Sequence, residues 1–145
     1  MFVPSDFEPP TTFESDGFRL EPLGPAHNDR DYAAWTSSME HIHATPGEWG
    51  SWPRPMTKEE NLADLERHAR DFEARTGFTY SVLDGDDVIG CLYIYPDKKG
   101  DSEAYVSSWV TASRAEMDVA VWRAVSDWLS ADWPFRSFRY ADRPT

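Results

Sequence analysis

Cysteine is almost absent from this chain of 145 residues: the one thiol, Cys91, lies inside an apolar run. A lone cysteine cannot build a disulfide framework. With no base or cation beside it in sequence, it reads as a small core hydrophobe rather than a nucleophile. Positive charge is also scarce. Fourteen Lys and Arg stand against 26 Asp and Glu, a formal net charge of −12. That balance excludes nucleic-acid binding by phosphate neutralisation and disfavours anionic membrane surfaces. No window is long and apolar enough for a membrane span. The opening residues, Met1 to Asp6, have neither the basic region nor the apolar stretch of a secretory signal, so the expected location is the cytoplasm. No Gly-x-Ser-x-Gly nucleophile elbow occurs either.

What is abundant is aromatic surface: seven Trp, eight Phe and six Tyr, within an apolar fraction of 40%. This load argues for a packed core and against disorder. The length suits one domain, which should bury roughly 70% of the surface exposed by the unfolded chain.

Residues 1–16 are rich in Pro, acid and Thr and read as an extended arm, with Phe2, Phe7 and Phe13 as its anchors; residues 17–145 form the domain. Residues 18–23 alternate as a half-buried strand, ended by Gly24-Pro25. A helix beginning near Asn28 carries Tyr32, Trp35, Met39 and Ile42 as one stripe. Prolines and glycines from Pro46 to Pro55 make a loop that holds Trp49 and Trp52. Thr57 and Glu60 have capping-box spacing, and the helix behind them presents Leu62, Leu65, Ala69 and Phe72 before an expected stop at Gly77. Residues 78–83 and 88–95 form a hairpin across Asp84-Gly85-Asp86-Asp87, and 104–110 is a further strand. A third helix runs from Arg114 with Met117, Val121, Val125 and Trp128 inward. Residues 135–140 are a last strand, parallel to 104–110 by the crossover rule.

The order strand, helix, helix, three strands, helix, strand resembles that of the GNAT superfamily of coenzyme-A-dependent N-acetyltransferases. Phe18-Arg19-Leu20-Glu21-Pro22-Leu23, Val88 to Pro96 and Ser108-Trp109-Val110 resemble the family's first, third and fourth strands. The resemblance covers residues 17–140. It implies an α/β fold with a mixed, mostly antiparallel sheet, helices on both faces and the last two strands parallel. It further implies acetyl-CoA as co-substrate and a small-molecule amine as acceptor. The backbone of Trp109 and Val110 would take the pantetheine arm, Arg114 would meet phosphate, and Glu103 would be the base. Trp49 and Trp52 would line the acceptor side.

Two departures stand out. The family opens its third helix with glycines at alternating positions, which let backbone approach a pyrophosphate. Here the segment reads Thr111-Ala112-Ser113-Arg114-Ala115-Glu116-Met117-Asp118, with acids where phosphate charge would sit and Ser113 and Glu116 at capping-box spacing. The family's fourth helix and two later strands also have no counterpart after residue 140. The strand at 135–140 is therefore expected to be covered by the arm or by a second copy in a homodimer.

The residues themselves leave alternatives open. A degenerate fold could serve as a non-catalytic binding or assembly module instead of an acetyltransferase. From the residues alone, Glu103 reads first as an exposed turn acid, and Trp49 and Trp52 first as core plugs. His41, His43 and Glu48 fall short of a metal ligand set, so no metal is expected. His27 and His68 read as surface positions.

Overall fold

The computed structural model describes residues 1–144. One six-stranded sheet runs in sequence order: β1 (Phe13–Ser15), β2 (Phe18–Pro22), β3 (Phe78–Asp84), β4 (Asp87–Pro96), β5 (Ala104–Val110) and β6 (Phe138–Tyr140). All pairs are antiparallel except β5–β6, which is parallel, as the crossover requires. The short edge strand β1 is an addition to the expected set. Ser15 pairs with Phe18 across Asp16-Gly17, and Gly17 adopts φ 87°, the left-handed conformation that two-residue hairpins demand.

Period-two alternation sends the sheet's side chains into two separate cores. Phe78, Tyr80, Val82, Leu92, Ile94 and Val106 pack with Val121, Val125, Trp128 and Leu129 of α4 (Asp118–Asp132). On the other face, Cys91, Leu83 and Trp109 pack with Trp35 of α1 (Asn28–Thr36), Ile42 of α2 (Met39–His43) and Leu65 of α3 (Lys58–Ala74). Cys91 is buried, and burial pushes its thiol pKa up, which removes it as a nucleophile at neutral pH.

Residues 1–12 have no regular secondary structure along most of their length, yet they are fastened down. Val3 is 1% exposed; Phe2 stacks on Phe135 at 5.1 Å, and Phe7 packs against Trp133 at 5.1 Å with the rings tilted. Arg75 donates to the Pro4 carbonyl and Tyr80 Oη to that of Pro10, each at 2.6 Å. The arm thus roofs the sheet beside α4 and then crosses to the opposite edge as β1. It touches Phe135, but the outer edge of β6 pairs with no strand among the described residues. That edge is three residues long and carries Arg139, which is bound to Asp97 and Glu48. Short length and charge are standard means of blunting an edge.

Four boundaries differ from expectation, the first being that of β6, which begins at Phe138 rather than at residue 135. The stripe Tyr32–Ile42 is split into α1 and α2, because the hydroxyls of Thr36 and Ser37 bond back to the carbonyls of Tyr32 and Ala34 and end the first helix. The helix after the capping box stops at Ala74, with Arg75 rather than Gly77 in the left-handed position at φ 63°. Gly77 has a different role: a Cβ there would stand 2.0 Å from the Tyr95 ring. The last helix starts at Asp118 after a 3-10 turn over Ala112–Met117, so Ser113 and Glu116 form no capping box.

Candidate functional site

β5 and β6 pair through Ala104–Val106 and Phe138–Tyr140 and then part. β4 stays paired with β5 up to Val110. Backbone polarity alternates along a strand, and Thr111 N–H donates to Ile89 O on β4 at 2.8 Å. Trp109 therefore directs its backbone at β4, while Ser108 and Val110 direct theirs into the gap beside β6. Of the two residues expected to meet a pantetheine arm, Val110 has this orientation and Trp109 does not. The Trp109 side chain is fully buried, and its indole N–H donates to Tyr93 Oη at 3.0 Å.

Arg143, 3% exposed, occupies the gap. It donates to Ser108 O at 2.9 Å, to Asp118 Oδ2 at 2.8 Å and to Ala141 O at 2.8 Å. The turn leading into α4 is equally self-satisfied. Ala112 N–H donates to Ser38 Oγ at 2.9 Å, and Arg114 N–H donates to Thr111 O. The Arg114 side chain is held by Asp84 at 2.9 Å and Glu116 at 3.2 Å, which raise its pKa. A nucleotide thioester needs a free strand edge for its amides and free N–H groups or cations for its phosphates. In this arrangement Ser108 O, the Ala112 and Arg114 N–H groups and the Arg114 side chain are engaged by the chain itself, so acetyl-CoA fits only where these are released.

The opposite face of β5 is open. A cavity of about 380 Å³ is walled by Trp49, Trp52, Tyr93 and Met56, with Asp31, Asn61, His68 and Ser107 among its polar lining. A second cavity of about 450 Å³ adjoins it and shares Arg67, His68, Tyr93 and Ser107. The loop from Pro46 to Pro55 brings Trp49 and Trp52 together at 6.1 Å, and Trp52 also lies 6.1 Å from Trp109. Both tryptophans are thus core-packed and groove-lining at once.

Two polar networks set the groove's chemistry. Asn61 donates to Asn28 Oδ1 at 2.9 Å and to Asp31 Oδ2 at 3.1 Å, and it accepts from the Trp35 indole at 3.0 Å. Asp31 is 4% exposed; burial pushes its pKa up to about 6, against the opposing Asn61 bond. Tyr95 Oη donates to Asp71 Oδ2 at 2.8 Å. Tyr95 Oη and Thr79 Oγ1 each lie 2.9 Å from His68 Nδ1, so the two hydroxyls fix the orientation of the imidazole. Burial, the larger effect, and the Arg67 charge lower the His68 pKa to about 4, so the ring is neutral at pH 7.

His68 is therefore no surface residue, and neither is His27, which is buried between Gly24 N–H and Glu21. The signal for His68 was its place on the inward face of α3, seven residues before Arg75. Glu103 is set apart from the groove. Its carboxylate accepts Arg136 N–H at 3.0 Å, and it lines a cleft with Phe2 and Phe135. His43 donates its Nε2–H to the Pro53 carbonyl at 2.6 Å. No group of three or more metal-ligating side chains occurs among the described residues. No described helix is long and apolar enough to cross a membrane.

The sequence matches no family model and no curated protein. Solved structures are similar in fold. RimL, a ribosomal L7/L12 alpha-N-protein acetyltransferase, superposes with a TM-score of 0.67 over 90% of this chain and 68% of that one, at 13% identity. The ribosomal-protein-S5-alanine acetyltransferase of Vibrio fischeri gives 0.61 over 83% and 67%, at 16% identity. The microcin C7 self-immunity acetyltransferase MccE, solved with acetyl-CoA and AMP, gives 0.62 over 86% and 70%, at 12% identity. With its sheet order, its parallel last pair and these neighbours, this chain has the GNAT acetyltransferase fold.

Proposed function

We propose that this chain is an amine acetyltransferase using acetyl-CoA, with a small-molecule acceptor. The observation that supports it is the aromatic groove on the α1–α3 face, which reaches Ser107 of β5 one residue from the parting of β5 and β6. Trp49, Trp52 and Tyr93 offer π faces to a cationic amine, and Asp31 lies among them. His68, a neutral imidazole in the groove, would take the proton there by position; Glu103 is a second candidate, set apart from the groove. Val110, and Ser108 once Arg143 is withdrawn, would offer backbone to the coenzyme's amides, and Arg114 would be the cation to meet its phosphates. The acetyl-CoA thioester would supply an activated acyl group.

The fold neighbours named above are acetyltransferases, one of them solved with acetyl-CoA, which supports this reading over a purely structural module. The test is acetyl transfer from acetyl-CoA to a panel of primary amines, followed by mass spectrometry. Product that disappears in Trp52→Ala and falls in His68→Gln is expected. Absence of product and of any acetyl-CoA binding would refute the assignment.

A further inference from the structure

The gap between β5 and β6 is filled by a side chain of the protein itself, and the filling is specific. The Arg143 guanidinium bridges three elements: the segment after β6, the strand edge at Ser108 and the first residue of α4, Asp118. It also lies over the Tyr140 ring at 5.6 Å, and Tyr140 Oη and Ser108 Oγ are 2.5 Å apart beside it. Yet the bridge is incomplete, because Asp118 Oδ1 is buried without a partner. The Asp118 side chain is 20% exposed, so water can take over its carboxylate when Arg143 withdraws, whereas the Ser108 carbonyl then needs a new donor.

We propose that Arg143 is a latch on the acyl-donor groove. The guanidinium and the amide-bearing arm of a coenzyme-A thioester compete for the Ser108 carbonyl, so the donor is admitted when Arg143 leaves. This inference rests on the acetyltransferase reading and deepens it. It accounts for the misfit between fold and site: the groove is present and is closed from within. The latch acts on the arm rather than the nucleotide, because Ser108 is a strand-edge residue and the turn before α4 is engaged separately by Ser38, Asp84 and Glu116.

The test uses the full chain and the double variant Arg143→Met with Asp118→Asn, which removes both charges together and leaves no bare buried acid. Calorimetry is run with acetyl-CoA and with adenosine 3′,5′-bisphosphate, the nucleotide half alone. At least a tenfold gain for acetyl-CoA is expected, with the bisphosphate unchanged. Equal acetyl-CoA affinity for wild type and variant would overturn the latch and leave the acetyltransferase reading standing. No binding by either protein would overturn both. An equal gain for the bisphosphate would overturn the assignment of the latch to the arm. A second measurement needs no substitution: the Arg143 Nε–H of wild type, bonded to Asp118 Oδ2, should exchange slowly in the free protein. It should lose that protection at saturating acetyl-CoA, and retention of protection would refute the mechanism even if the double variant failed to fold.

Discussion

Asp31 and His68 line one groove and titrate in opposite senses, which makes the stability of this protein a sharp test of their burial. Burial pushes Asp31 up to about 6 and His68 down to about 4. For Asp31 the folded state holds the proton more tightly than the unfolded chain. Its contribution is full below about pH 4 and is lost as pH rises through 6. For His68 the folded state favours the neutral ring. Its contribution is full above about pH 6.5 and is lost as pH falls through 4. Each effect is worth at most about 3 kcal/mol by proton linkage, and between pH 4 and 6.5 the two oppose one another. Asp31→Asn retains an acceptor for Asn61, and His68→Gln retains a polar side chain, so each variant removes mainly the titration. Urea unfolding at constant ionic strength from pH 4 to 7.5 gives the free-energy difference between variant and wild type. For Asp31→Asn that difference should move in the variant's favour by about 2–3 kcal/mol as pH rises. For His68→Gln it should move in the variant's favour by a similar amount as pH falls. Difference curves that are flat in pH would show that neither group is as desolvated as the structure has it.

Thr57→Ala removes the acceptor for Glu60 N–H at the start of α3 and should cost about 1 kcal/mol in urea unfolding, without changing the cooperativity of the transition. Gly90→Ala would place a Cβ 2.2 Å from Trp109 O, forcing β4 and β5 apart; a loss of about 1–3 kcal/mol or more is expected, against the gain that Gly→Ala gives in an unhindered strand. Removal of residues 1–12 should lower the melting temperature and bare the face at Phe78 and Trp133, read as a gain in binding of an apolar dye.

Much of the fold was legible because it rests on local rules. The Asp84–Asp87 turn, the Thr57–Glu60 box and the crossover into β6 each follow from a few adjacent residues. β1 was legible too: Asp16-Gly17 between apolar residues is a hairpin signal, hidden inside a segment whose prolines suggested an arm. The break between α1 and α2 was not. The apolar stripe runs straight through it, and the helix ends through local hydroxyl bonds while Ser38 Oγ accepts from Ala112, 74 residues away. For the candidate site, Trp49 and Trp52 were singled out by their place in the Pro46–Pro55 loop, and the structure puts both on the groove wall; Val110 and Arg114 were singled out by motif position. His68 was missed because an acidic helix, Glu59 to Glu73, looks solvated from its charges; the partners that bury it, Thr79 and Tyr95, come from β3 and β4. Arg143 was missed for the same reason, since a lone arginine between Asp142 and Pro144 has no sequence signal for burial.

The two halves of a nucleotide thioester meet different obstacles in this chain, and the difference bears on how the site is controlled. At the turn before α4, Asp84, Glu116 and Asp118 face Arg114 and Arg143, so three acids are set against two cations. The phosphates would enter a region that is already acidic, and withdrawing Arg143 from Asp118 would bare one more carboxylate. Opening the latch thus favours the arm of the donor and disfavours its nucleotide. A single Arg143→Met change combines these opposing effects, whereas the double change with Asp118→Asn separates them. The groove on the other face involves neither obstacle: Trp49, Trp52 and His68 are held by contacts within α3, β4 and the loop that precedes α3. In the proposed acetyltransferase reading, the acceptor side is accordingly preformed while the donor side is closed, so the donor side is where access would be decided.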